Sequence, residues 1–98
     1  MENSNESKSR FPLSEMHPTQ YPIDSHEDMI CVDIAIALQE SNMKYILARR
    51  HQFGGTYEIE TTFSIVKDMM HRGTCRNPRK LFNSLLTKEL KKYREKYD

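Results

Sequence analysis

The chain reads as all-α or mostly α, a small bundle of three to four helices behind an extended N-terminal arm. Three observations point there. Apolar residues recur at three- and four-residue spacing through the C-terminal third, Ser, Asn and Gly stand where helices would start and stop, and Pro12, Pro18 and Pro22 crowd the opening segment so that no helix can run through it. Ninety-eight residues make one domain at most. The expected division is an arm over residues 1–23, extended or disordered, followed by a helical domain over 24–98.

The arm is rich in Ser, Asn, Glu and Pro but carries Phe11, Leu13, Met16, Tyr21 and Ile23. Such a segment is either solvated or docks in extended form on its own domain or on a partner, and Phe11, Leu13, Met16 and Tyr21 are its candidate partner-binding residues. Ser25 followed by Glu27 and Asp28 forms an S-x-x-D box, which opens a helix. The body that follows, MICVDIAIALQES, also alternates as a strand would, but Ala35, Ala37, Leu38, Gln39 and Glu40 favour helix, with Ile30, Ile34, Ala37, Leu38 and Ser41 on one face. Ser41 and Asn42 break or restart it, and a second helix, NMKYILARRHQF, ends at Gly54 with Arg49, Arg50 and His51 in its last turn.

Beyond the Gly54-Gly55 turn, Tyr57, Ile59, Thr61 and Phe63 alternate with Glu58, Glu60 and Thr62. The pattern predicts extended structure up to about residue 60, then a helix capped by Thr61 or Thr62 and stopped by Gly73. Met69 and Met70 read as core filler within it. The clearest element is the last: Asn77 suits an N-cap, Pro78 the first helical position, and Leu81, Phe82, Leu85, Leu86, Leu90, Tyr93 and Tyr97 form an amphipathic stripe.

Charge is split by position. Residues 1–42 hold two basic side chains against eight acidic ones, a net −6, and residues 43–98 hold thirteen against six, a net +7. Such asymmetry points to a polyanion or an acidic protein surface as partner. Between Asp68 and Glu89 no acidic side chain occurs, while Arg72, Arg76, Arg79, Lys80 and Lys88 do. The first turns of the last helix add Asn83, Ser84 and Thr87 off the apolar stripe. Arg and Lys reach guanine edges or phosphates, Asn pairs with adenine, and Ser and Thr bond phosphate oxygens. Arg72, Arg76, Arg79, Lys80, Asn83, Ser84, Thr87 and Lys88 are therefore the candidate nucleic-acid contacts. Two helices so joined resemble a helix-turn-helix in outline, although Pro78 makes the turn longer or stiffer than usual and no consensus is matched.

The alternative is an adaptor or inhibitor that docks its basic helix and its arm on a larger acidic protein. Enzyme chemistry is not expected: His17, His26, His51 and His71 are dispersed, neither HExxH nor a glycine-rich phosphate loop nor a nucleophile elbow occurs, and Cys75 lacks an identifiable base. Cys31 and Cys75 stand alone without zinc-ligand spacing, so neither a metal nor another cofactor is expected. The start, MENSNESKSR, has no apolar run after a basic opening, and no stretch reaches bilayer length. An intracellular location, cytoplasmic, nuclear or nucleoid, and no membrane partner are the corresponding expectations. Tyr93 and Tyr97 could also close a homodimer. If the acidic first half competes for the basic helix, removing residues 1–23 should tighten nonspecific nucleic-acid binding.

Overall fold

A computed structural model of the chain describes residues 12–97 and is all-α: four helices and no strand among the described residues. These are α1 (His26–Ala37), α2 (Lys44–Phe53), α3 (Tyr57–His71) and α4 (Pro78–Tyr97). The chain divides into two compact units between Ala48 and Arg49, inside α2. The first unit's sequence carries three basic and eight acidic side chains (−5), and the second's carries twelve and six (+6). Packing and charge thus change over within six residues of each other.

In the first unit, Pro12 and Pro18 each open a short 3-10 turn, Leu13–Glu15 and Pro18–Gln20. Proline lacks an N–H and holds φ near the helical value, which suits the start of a turn and not its middle. The second turn packs on α1 with Pro18 fully buried, and the Met43 N–H donates to the Ser14 carbonyl at 2.9 Å. Helix α1 starts as the S-x-x-D box requires. The Ser25 hydroxyl accepts from the Asp28 N–H at 3.1 Å, and the Asp28 carboxylate accepts from the Asp24 N–H at 2.9 Å. Its buried residues are Ile30, Cys31, Val32, Ile34, Ala35 and Leu38. The expected face is therefore corrected: Cys31, Val32 and Ala35 are buried, and Ala37 and Ser41 are exposed.

Three helices end by the same device. After α1, Gln39 N–H bonds to Ile36 O and Glu40 N–H to Ala35 O; after α2, Gly54 N–H bonds to His51 O and Gly55 N–H to Arg50 O; after α3, Gly73 N–H bonds to Met70 O and Thr74 N–H to Met69 O. Each reversal needs a left-handed residue, at φ +68° for Gly54, +75° for Gly73 and +61° for Gln39. Glutamine has a Cβ that crowds the following carbonyl there and glycine does not. Gln39→Gly is expected to stabilise the protein by about 0.5–1 kcal/mol, a rise in Tm of roughly 2–8 °C. No rise in a thermal melt would show that Gln39 is not strained.

In the second unit, α3 begins four residues earlier than the alternation predicts, at Tyr57 and not near Thr61. The chain leaves the Gly54-Gly55 reversal directly into a helical turn, with Glu58 and Glu60 beside the positive end of the helix dipole. Neither expected cap operates. The Thr61 hydroxyl donates to the Tyr57 carbonyl at 2.8 Å, one turn back within the helix, and Thr62 is buried. Ile59, Thr62, Phe63 and Val66 form the buried stripe, and Met69 is half-buried while Met70 is exposed, so only part of the methionine pair fills the interior. Helix α4 buries Phe82, Leu86 and Leu90, and the Phe63 and Phe82 rings meet edge to face at 6.0 Å. Since Tyr57 and Glu58 share a groove with Glu89 through Tyr97, α3 and α4 run antiparallel along their length. They form a pair of antiparallel helices joined by the loop over residues 72–77.

Candidate nucleic-acid interface

The loop between α3 and α4 is held at both ends. Gly73 reverses the chain, the Thr74 hydroxyl donates to the Met69 carbonyl at 3.1 Å, and the Asn77 side chain caps α4 by accepting the Lys80 N–H at 3.1 Å. Pro78 then occupies the first helical position, where its missing N–H leaves no bond unmade.

Helical spacing sorts the expected contact residues of α4 into two rows. Lys80, Ser84, Lys88 and Lys91 follow at intervals of four, four and three, and all are exposed. Arg79, Asn83 and Thr87 form the neighbouring row. There the Arg49 guanidinium donates to Asn83 Oδ1 at 2.7 Å, to Thr87 Oγ1 at 3.0 Å and to Gln52 Oε1 at 3.1 Å. Asn83 and Thr87, read as base and phosphate contacts, thus hold a buried arginine that is only 9% exposed. Arg49 ties the part of α2 that belongs to the second unit, Arg49–Phe53, to α4.

Sequence reading missed Arg49, although a signal existed. It interrupts the buried stripe of Ile46 and Phe53 on α2, which Met43 just before the helix continues, a position where a charged group must find partners. Arg49→Met keeps the apolar stem and removes the charge-assisted bonds. The expected destabilisation is about 2 kcal/mol, read as a lowered urea midpoint. An unchanged midpoint would show that the bonds contribute nothing net.

The loop and the outward row differ in pairing. Arg72 is exposed and its Nε lies 3.1 Å from Asp68 Oδ2, one turn back, an exposed pair worth a few tenths of a kcal/mol. Arg76, Lys80 and Lys88 are exposed and form no ion pair with any described residue. Farther along, Lys92 Nζ is 3.4 Å from Glu89 Oε2. Arg76 in the loop and Lys80, Ser84 and Lys88 along one side of α4 therefore offer an open cationic strip.

Of the arm residues expected to meet a partner, Phe11 lies outside the described residues, Leu13 is exposed, and Met16 and Tyr21 are half-buried. Cys31 is buried and Cys75 half-buried, and neither is part of a disulfide. Among the described residues no three His, Cys, Asp or Glu side chains gather as metal ligands. No helix among them is long and apolar enough to cross a membrane. The chain matches no protein-family model, no curated protein and no solved structure.

Proposed function

We propose that this chain is a small regulatory or accessory protein that binds nucleic acid, DNA or RNA, through the cationic strip on α4 and the loop before it, and that it catalyses no reaction. The observation that supports this reading is the strip itself: Arg76, Lys80 and Lys88 point to solvent without ion pairs among the described residues, in a unit whose sequence carries a net +6. Charges left open at regular spacing on a rigid helix suit a regularly spaced anion such as a phosphate backbone. Because Asn83 and Thr87 are engaged by Arg49, the strip supplies phosphate contacts more than base-edge contacts. Binding through it is sequence-tolerant.

The alternative role is an adaptor or inhibitor that docks its basic helix and its arm on a larger acidic protein, and the first unit offers such a partner further apolar surface. Met29 and Ile36 lie seven residues apart on one face of α1 and are 40% and 45% exposed, with Asp33 between them. Titration of a labelled duplex and a labelled single strand at two salt concentrations separates the two roles. About four phosphates neutralised by Arg76, Lys80, Lys88 and Lys91 should give a log–log salt slope near −3 to −4. A flat response would remove the nucleic-acid role and leave the adaptor.

A further inference from the structure

We infer that the groove between the start of α3 and the last turns of α4 is a stacking platform for an unpaired nucleobase, so that the nucleic acid taken by this chain is single-stranded. This rests on the nucleic-acid role proposed above and specifies its ligand. The groove encloses about 240 Å³ and is lined by Tyr57, Tyr93, Tyr97, Lys92 and Lys96 together with Glu58 and Glu89. Tyr57 is 75% exposed and Tyr97 64% exposed, far more than aromatic rings need to be on a chain this size. Tyr93 is anchored, its ring edge to face with Phe53 at 5.5 Å and 4.8 Å from Tyr97. One side of the groove is thus a fixed ring and the others are rings left in water.

The charges around these rings fit a nucleotide. Lys96 Nζ sits 5.5 Å over the Tyr97 ring and Lys92 lines the same groove, so two ammonium groups stand among the rings, within reach of the phosphate attached to a base stacked on the open Tyr57 ring. Glu89 is engaged by Lys92, whereas Glu58 offers an acceptor for an exocyclic amine, favouring bases that carry one. A quaternary ammonium would also suit a tyrosine cage, but two lysines in the same groove oppose it. A duplex fits poorly, because its bases are already stacked on their neighbours and show no face to a ring. The groove and the open strip lie toward opposite ends of one helix. The 20 residues of α4 span about 30 Å, so one strand can engage both.

The test uses the full chain and compares the double variant Tyr57→Ala/Tyr97→Ala with Tyr57→Phe/Tyr97→Phe. Anisotropy titrations use a labelled single strand of about ten nucleotides and its duplex, a length within the range that small single-strand sites cover. Stacking removed at two rings should weaken single-strand binding by roughly fivefold or more, leave the salt slope and the duplex affinity unchanged, and be restored by the Phe variant. With no Trp in the chain, tyrosine emission reports the same contact, and the single strand should quench it in the wild type and much less in the Ala variant. Equal affinity of the wild type and the Ala variant for the single strand overturns the platform while leaving the nucleic-acid role standing. Quenching by a trimethylammonium compound in place of the oligonucleotide overturns it in favour of a cation site. Absence of salt-dependent binding to either strand by the wild type removes the parent role and the platform together.

Discussion

Phe82→Ala is expected to destabilise the protein by about 3–5 kcal/mol, the largest effect of any substitution argued for this chain. Phe82 has no exposed surface, and its ring edge meets the face-to-edge geometry of Phe63 across the α3–α4 hairpin. Truncation removes the transfer free energy of the ring, leaves a cavity that two helices tied by a short loop cannot close, and forfeits an aromatic pair worth about 0.5–1.5 kcal/mol of its own. Total stability for a chain of this length is on the order of 5–15 kcal/mol, so the variant should unfold at a much lower urea concentration, with the loss visible in far-ultraviolet circular dichroism. Phe82→Leu keeps most of the volume and should lose much less. If both variants melt within a degree or two of the wild type, Phe82 does not hold the hairpin.

How much of this architecture could be read from the residues depends on the range of the interaction involved. Ser25, Gly54, Gly73 and Asn77 act on backbone groups three residues away, and each helix boundary they define lies where local chemistry puts it. Tyr57–Glu60 went astray for a local reason as well: β-branched and aromatic alternation imitates a strand, and a threonine hydroxyl that bonds one turn back within a helix looks in sequence like a cap. Gln39 was hidden because a left-handed residue other than glycine carries no composition signal. The two rows on α4 show the harder limit. Helical spacing separates Asn83 and Thr87 from Ser84 and Lys88, but which row meets another helix was decided by Arg49, 34 and 38 residues away. Charge needed no partner to be legible, and the boundary counted from side chains alone falls close to the boundary between the two compact units.

Charge reversal tests the binding strip without disturbing that architecture. Arg76→Glu, Lys80→Glu and Lys88→Glu together are expected to weaken oligonucleotide binding on the order of 100-fold at low salt and to flatten the log–log salt slope by about 2 for a single strand and about 3 for a duplex, since each lost phosphate contact removes about 0.7 or 0.9 from it. Because these three side chains are exposed and make no ion pair with the described residues, Tm should move by only a few degrees. Arg79, Asn83 and Thr87 are left intact in this variant so that the row beside Arg49 is preserved. The comparison with Arg49→Met is therefore discriminating. Loss of the buried guanidinium lowers stability with little change in the salt slope, whereas reversal of the outward row changes the slope with little change in stability. A triple variant that binds as tightly as the wild type would place the phosphate contacts elsewhere on the basic unit. One that unfolds would mean that the outward row is part of the packing, and the strip would lose its claim to be a binding surface.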